Sequence, residues 1–238
     1  MPAINLPNKH VDAVKYSGTG ASNVISSLNF QSDLIWVKER SVNSGGTGSH
    51  RVYDYNRGTF GNWMSTDSTG SYTDTASGTL GVVNSTGFTV GTDNDLNDSG
   101  GTYVAWCWKA GGTTTSNTSG SVTSSVSKNL SAQFSIASWT HTSSGTYTVG
   151  HGLGVAPSFI ICKNTNTVLI YSYRFLHSCT SSSAHTPFAP LTRRLIPFGS
   201  FFMYNTLLPH TPSGLCSYTL AVCKSKRNLV GFFISCKN

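Results

Sequence analysis

Short apolar runs bounded by Gly, Ser and Thr recur along this chain of 238 residues. Two of them, Leu34-Ile-Trp-Val37 and Phe159-Ile-Ile-Cys162, are each followed by a lysine. Runs of this length between turn residues, rich in Ile, Val and aromatics, are typical of strands buried on both faces. Residues 102–109 alternate instead, so period-two geometry predicts Thr102, Val104, Trp106 and Trp108 on one face of a strand, with Tyr103, Ala105, Cys107 and Lys109 on the other. Strong amphipathic-helix periodicity is absent, and the pattern predicts an all-β fold.

The apolar pattern occurs twice. Residues 28–38 match residues 153–163 in spacing and polarity, and residues 11–16 match residues 134–139 in the same order. The copies lie 123 residues apart at their starts and 125 at their ends, which a two-residue insertion explains. A period of this length indicates a duplicated module rather than a solenoid repeat.

The pattern divides the chain into four segments. Residues 1–111 form the first repeat, with further strands predicted within 50–58, 63–66, 87–91 and 102–109. Residues 112–132 are predicted to be a linker, because 12 of the 20 residues from 112 to 131 are Ser or Thr. Residues 133–164 begin the second repeat. Beyond them the repeat fades, and Tyr218–Lys224 is at best a faint, off-register echo of Tyr103–Lys109.

Charge separates the last segment from the rest. Only 11% of the residues are charged, which suits a turn-rich β-protein with an uncharged polar surface. Residues 1–164 carry equal numbers of basic and acidic residues, and residues 165–238 carry the whole net charge of +7. Two hypotheses account for this segment: a different reading frame from the ancestral repeat, or a divergent basic tail with its own role. Clustered charge there is a candidate contact for nucleic acid or an acidic partner, through Arg193, Arg194, Lys224, Lys226 and Arg227.

The chain shows no signal-peptide pattern and no window of about 18 apolar residues that would span a membrane. We therefore expect a product of the cytoplasm without a membrane partner.

Five motifs together resemble a repeat-domain family of virion structural proteins from tailed bacteriophages, notably marine cyanophages, whose members are often labelled tail-fibre-like. They are Asn8–Gly20, Leu28–Lys38, His50-Arg-Val-Tyr-Asp54, Gly87-Phe-Thr-Val-Gly91 and Tyr103–Gly112. Val149–Pro157 resembles the start of that family's next repeat. The resemblance covers about residues 1–164. It implies a β-sandwich of the jelly-roll or concanavalin-like kind and a place in the virion, and it assigns no catalytic residues.

Three groups of residues are candidates for a metal site, a catalytic triad or a phosphate-binding loop. Asp93, Asp95 and Asn97 match the first ligand positions of a calcium loop, but the glycine and the final glutamate are missing, so an Asx-turn loop is preferred over a metal site. His50, Arg51, Asp54 and Arg57 cluster without a paired nucleophile, which favours a structural Asp54–Arg57 pair over a triad. Gly150–Gly154 is predicted to be a tight turn rather than a phosphate loop, because no helix is predicted after it.

The spacing of the cysteines does not match a zinc-binding site, and Cys107 and Cys162 are predicted to be free and buried. Two interpretations remain open for the aromatic set. It could stack on a sugar, as in a lectin site, or form the inner face of a sandwich. The set comprises Tyr103, Trp106, Trp108 and Trp139.

The leading expectation is a non-enzymatic virion protein without a cofactor, either a tail fibre or appendage or a head decoration protein. Its expected partners are other capsid or tail proteins in a homo-oligomeric or symmetric multi-copy assembly, with a host-surface glycan as a further candidate. The alternative is a stand-alone carbohydrate-binding module. An esterase-like enzyme fits least, since no nucleophile is paired with a base.

Overall fold

A computed structural model of the chain describes residues 6–41, 46–57, 63–66, 79–141, 145–155, 157, 159–165, 172–174, 219–222 and 227–234. Strands in antiparallel sheets dominate these residues, which confirms the predicted all-β, sandwich-like fold. The described helices are a four-residue α-helix, α1 (Asn94–Asn97), and two 3-10 turns, Pro7–Lys9 and Tyr55–Arg57. None of them has the length and apolarity that crossing a lipid bilayer requires.

Eight strands form the first unit, which comprises the strands between residues 11 and 108. They are β1 (Val11–Ser17), β2 (Asn23–Ile25), β3 (Leu34–Ser41), β4 (Arg51–Asp54), β5 (Trp63–Ser65), β6 (Leu80–Asn84), β7 (Gly87–Val90) and β8 (Thr102–Trp108). The larger sheet has the order β1-β8-β3-β4-β5, and the smaller sheet has the order β2-β7-β6.

The core of the first unit follows from the alternation in β8. Tyr103, Ala105 and Cys107 are fully buried, whereas the side chains between them are only partly buried, as predicted. The buried face joins a cluster that includes Ile35 from β3 and Phe88 from β7. This cluster therefore draws side chains from both sheets, as in a sandwich.

Eight further strands form the second unit, which comprises the strands between residues 115 and 234. They are β9 (Thr115–Asn117), β10 (Ser124–Asn129), β11 (Phe134–His141), β12 (Gly145–Thr148), β13 (Phe159–Asn164), β14 (Ser172–Arg174), β15 (Thr219–Val222) and β16 (Arg227–Ile234). The larger sheet has the order β14-β13-β16-β11-β10-β9, and β12 pairs with β15. Its core includes Val126, Ala137, Trp139, Tyr147, Ile160 and Cys162.

The register of the two larger sheets is the same at residues that align between the two sequence repeats. In the first unit Trp108 pairs with Val11 on one side and with Leu34 on the other. In the second unit Ile234 pairs with Phe134 and Phe159, which are the residues aligned with Val11 and Leu34 in the sequence. The order β1-β8-β3-β4 thus recurs as β11-β16-β13-β14, and the pair β2–β7 recurs as β12–β15.

Two sequence expectations differ from this arrangement. The segment 112–132 is more than a linker, because it contains β9 and β10 at one edge of the larger sheet. Its serines suit a strand because the hydroxyls find acceptors, as Ser124 Oγ does at Gly150 O (2.6 Å) and Ser127 Oγ at Ala110 O (3.1 Å). The counterpart of β8 is β16, and not the segment Tyr218–Lys224 that was compared with it.

The two units pack through the outer faces of their larger sheets. Leu34, Val52 and Met64 of the first unit form one buried cluster with Phe134 and Ile136 of the second. Within this contact the rings of Trp108 and Phe134 stack with their centroids 6.2 Å apart. Asn56 adds a polar contact, donating from Nδ2 to Ser125 O (2.8 Å) and to Ser138 Oγ (2.9 Å). Both the contact between units and the sandwich cores therefore bury apolar surface.

Candidate functional site

A surface groove of about 400 Å³ lies on the second unit, between the β9–β10 edge and residues 148–155. Hydroxyl and amide groups supply most of its polar lining, and Lys128 contributes a cationic side chain. The hydroxyl and amide residues are Thr115, Ser116, Asn117, Thr118, Ser119 and Thr148. None of the described residues that line the groove is Asp or Glu. The groove is therefore suited to a neutral ligand rich in hydrogen-bonding groups.

Close contacts between neighbouring segments shape the floor of the groove. The backbone of Gly150 packs against the side-chain amide of Asn117, so a Cβ atom at residue 150 would lie 2.3 Å from Asn117 Oδ1 and would require that side chain to move. Gly152 has φ near 77°, a left-handed conformation that turns the chain towards β13, as predicted for this segment. Ser121 and Thr148 exchange backbone-to-hydroxyl hydrogen bonds of 2.8 and 2.9 Å across the same region. Contacts between residues 117–121 and residues 148–150 thus fix the groove walls.

His151 lies buried at the base of the groove. Its Nδ1 accepts a hydrogen bond from the backbone N–H of Leu153 at 3.3 Å. Burial lowers the pKa of His151 to about 4, so the imidazole is neutral at pH 7. The exposed cation beside the groove is therefore Lys128, and not the histidine.

The aromatic residues proposed for sugar stacking do not form one row. Tyr103 is fully buried in the core of the first unit, and Trp139 is buried in the core of the second. Trp108 stacks on Phe134 between the units. Trp106 is only partly buried. Because neighbouring residues of a strand face opposite sides of the sheet, Tyr103 and Trp106 cannot share a platform. The core interpretation holds for Tyr103 and Trp139.

Trp106 instead belongs to an aromatic group that the sequence analysis missed. Trp36 lies directly opposite Trp106 in the β3–β8 register, with the ring centroids 6.1 Å apart in an edge-to-face arrangement. Nε1 of Trp36 donates to Nδ1 of His50 at 2.9 Å. The register between β3 and β8 brings these residues together, and neither strand's sequence indicates that register by itself.

The three candidate metal ligands are committed to other contacts. Asp93 caps α1, because its Oδ1 accepts the N–H of Asp95 at 2.9 Å. Asp95 pairs with Arg51 and accepts from Thr47 Oγ1 at 2.7 Å. Asn97 donates from Nδ2 to the carbonyl of Gly91 at 2.6 Å. Among the residues that the structure describes, no group of three His, Cys, Asp or Glu side chains is placed to hold a metal. Asp93 thus makes an Asx turn, and the residues after it form α1 where a loop was predicted.

Arg51 organises the charged residues of the first unit. Its guanidinium pairs with Asp95 and with Asp93 (3.2 Å), and its Cζ lies 3.5 Å from the centre of the Trp63 ring. The hydrogen bonds from Arg51 and Thr47 lower the pKa of Asp95 despite the desolvation that opposes them. Asp54 pairs with Arg57, as predicted, and burial raises the pKa of Asp54 against that pairing. The Arg51 ion pairs therefore hold β4 against α1, and the Asp54–Arg57 pair holds the 3-10 turn that follows β4.

Both described cysteines are free and buried, as predicted. Burial raises the pKa of the Cys107 and Cys162 thiols to about 12, which leaves both protonated at neutral pH. Of the basic candidates, Arg193, Arg194, Lys224 and Lys226 lie outside the described residues. The backbone of Arg227 begins β16 and pairs with His141.

No curated protein and no solved structure matches the chain. A family model does match, over residues 6–188, and its description is "Domain of unknown function (DUF7483)". The match spans the whole first unit and continues into the second through β14. The chain belongs to this family, the domain of unknown function DUF7483.

Proposed function

We propose that this chain is a non-enzymatic structural protein of a bacteriophage virion, exposed on the particle as a tail appendage or a head decoration protein. The observation that carries the proposal is the duplicated sandwich, in which two copies of one strand order pack through their larger sheets. Stacked sandwiches present long, stable and weakly charged surfaces to neighbouring subunits. The resemblance of the five motifs to phage repeat-domain proteins supplies the location.

The charged side chains of the first unit support a structural role. Arg51, Asp93 and Asp95 form one ion-pair group, and Asp54 pairs with Arg57. Asp33 accepts backbone N–H groups at the start of the junction to the second unit. Each of these groups is occupied in holding strands or turns together, which is the use expected of buried charges in a scaffold.

In a virion the protein would act as many copies arranged by symmetry. Weak contacts between uncharged polar surfaces become strong when symmetry repeats them around a particle. The partners in this proposal are neighbouring capsid or tail proteins and further copies of this chain. Attachment to a host-surface glycan would use the same repetition.

Mass spectrometry of purified particles tests the location. We expect peptides of this chain in gradient-purified, nuclease-treated virions, at a ratio to the major capsid protein that matches a symmetric site. A few copies at the tail vertex would identify an appendage, and many copies at capsid lattice points would identify a decoration protein. Presence in infected-cell lysate with absence from purified particles would refute the proposal.

The groove on the second unit favours a second candidate function, the binding of a neutral glycan. Hydroxyl and amide groups line a concave surface to which the described residues contribute no carboxylate, and sugars are recognised by such hydrogen-bonding groups. A glycan array of the purified chain tests this function. Thr118→Tyr should fill the groove and abolish any hit, whereas Thr113→Tyr lies outside the lining residues and should leave it intact. An array without hits, or hits that both variants retain, would count against the groove.

A further inference from the structure

The larger sheets of the two units differ at the edge next to β1 and β11. In the second unit β11 lies between β16 and β10, and β9 follows β10. In the first unit β1 is the counterpart of β11 and pairs with β8 on one side. Within the parts of the chain that the structure describes, no strand pairs with the other side of β1. The first unit therefore has an open edge where the second unit has a closed one.

The backbone of β1 defines which groups face this edge. His10 and Gly18, which flank β1, bond to the β8 side through Lys109 N to His10 O and Gly18 N to Gly101 O, both at 2.8 Å. Since strand residues alternate in direction, the backbone groups of Val11, Ala13 and Lys15 point away from β8. These three residues are exposed. They present the outward donors and acceptors to which an added strand would bond.

Side chains already cover part of this edge. The N–H of Ala13 donates to Oδ1 of Asp12 at 2.8 Å, and Nδ2 of Asn23 donates to the carbonyl of Ser17 at 3.0 Å. Charged residues on an edge strand oppose uncontrolled pairing. Lys15 lies near the middle of β1 and is exposed, so it is a charge of this kind.

The second unit shows what chemistry this position accepts. Phe134, Ile136 and Ser138, the counterparts of Val11, Ala13 and Lys15, pair with residues of the strand Ser124-Ser-Val-Ser-Lys-Asn129. Ser135, the counterpart of Asp12, pairs with Lys128 of that strand. A strand of the same sequence placed on β1 in the same register would set its lysine opposite Asp12. Opposite charges in directly paired positions stabilise an antiparallel sheet.

We propose that the open edge of β1 binds, by strand addition, an extended segment supplied by another polypeptide with the chemistry of β10: a serine-rich strand with a central valine and a lysine opposite Asp12. Backbone hydrogen bonds to Val11, Ala13 and Lys15 provide the attachment, and the Lys–Asp12 pair selects the register. The resulting sheet in the first unit then extends beyond β1 as the second extends beyond β11. This interaction does not depend on where the protein resides.

The test uses the full chain and a fluorescent peptide of residues 122–130, Val-Thr-Ser-Ser-Val-Ser-Lys-Asn-Leu. Fluorescence anisotropy measures binding, and amide hydrogen exchange followed by NMR locates it. We expect saturable binding that protects the amides of Ala13 and Lys15. The amide of Val14, which faces β8, should already be protected in the free protein and serves as the internal control.

Two variants separate strand addition from non-specific adhesion. Ala13→Pro removes an outward N–H while keeping the ladder to β8, and it should weaken peptide binding about tenfold or more. Asp12→Lys should also weaken binding, and a peptide with aspartate in place of its lysine should restore it. Asp12→Asn keeps a side-chain acceptor for Ala13 and is the matched control for loss of charge alone. Circular dichroism establishes that each variant is folded.

Three results would overturn the proposal. One is the absence of binding at millimolar peptide. The second is binding that neither Ala13→Pro nor the charge exchange alters. The third is a concentration-dependent dimer, lost in Ala13→Pro, without peptide binding, because it would assign the edge to a second copy of β1. Each result leaves the virion proposal untouched, since that rests on the location of the chain in particles.

Discussion

Replacement of Asp33 by alanine should destabilise the junction between the two units more than any surface change. The carboxylate is almost fully buried, and its Oδ2 accepts three backbone N–H groups, from Ala110 at 2.7 Å, Gly111 at 2.9 Å and Gly112 at 3.1 Å. The backbone of Asp33 also bonds to the end of β8, because its N–H donates to Trp108 O at 2.8 Å. One residue before β3 thus fixes the chain as it leaves the first unit.

The magnitude follows from the three hydrogen bonds and their surroundings. A hydrogen bond to a charged group is worth about 1.5–3 kcal/mol, and a buried donor left without an acceptor costs about 1–3 kcal/mol. Ala110 is fully buried, so its N–H would lose its partner without gaining water. Gly111 is exposed and Gly112 is partly exposed, so their N–H groups can bond to solvent instead. We expect Asp33→Ala to lower the free energy of unfolding by about 3–5 kcal/mol, and Asp33→Asn, which keeps an oxygen acceptor, by about half as much.

Urea unfolding followed by tryptophan fluorescence and circular dichroism measures both variants. Asp12→Ala is the control, because Asp12 lies on an edge strand and its side chain accepts only a local hydrogen bond from Ala13; it should shift stability by about 0.5 kcal/mol or less. A loss below about 1 kcal/mol for Asp33→Ala, or equal losses for alanine and asparagine, would refute the assignment of the stabilisation to the charged acceptor.

Three further predictions concern buried groups. Arg51→Met should lower the free energy of unfolding by about 3–5 kcal/mol, because it leaves Asp93 and Asp95 without their cation; Lys15→Met on the exposed edge should change it little in the same urea titration. His151 has its pKa lowered to about 4, so the stability due to its neutral form is complete above its unfolded value of about 6.5 and is lost as the pH falls towards 4. Unfolding measured at several pH values should show this loss in the natural protein and not in His151→Phe. Phe134→Ala, which removes the ring stacked on Trp108, should cost about 3–5 kcal/mol and separate the unfolding of the two units into distinct calorimetric transitions.

Much of the architecture could be predicted from the sequence, because successive residues of a β-strand face opposite sides of the sheet and buried positions therefore recur every two residues. Residues 102–108 alternate between buried and partly buried positions as expected, and the residues aligned between the copies occupy the same register positions. Strands that pair are far apart in the sequence, however, so their pairing has no local signal. A prediction based on composition instead of alternation was wrong. Ser and Thr in residues 112–132 indicated a linker, although Ser124, Val126 and Ser127 are buried in β10.

The sites were less predictable for a physical reason. Trp36 and Trp106 are 70 positions apart and meet only because β3 lies against β8. The groove depends on Gly150 approaching Asn117 at the end of β9, and these residues are too far apart in the sequence for a local pattern to reveal the contact. Asp95, by contrast, was predicted to be either part of an Asx-turn loop or a weak metal ligand, and the structure pairs it with Arg51, 44 positions earlier in the chain.

The place where a repeat fades in the sequence need not be the place where the repeated fold ends. The strand β8 is bonded on both sides in the first unit, so a copy of the module without a counterpart would leave β11 and β13 with two unpaired inner edges. β16 fills that position with unrelated residues, in the register that β8 has with β1 and β3. Backbone hydrogen bonding requires a strand between β11 and β13, whereas the side chains of that strand need only alternate between the two faces of the sheet. A segment that does not share the sequence motifs of the first repeat can therefore complete the second sheet.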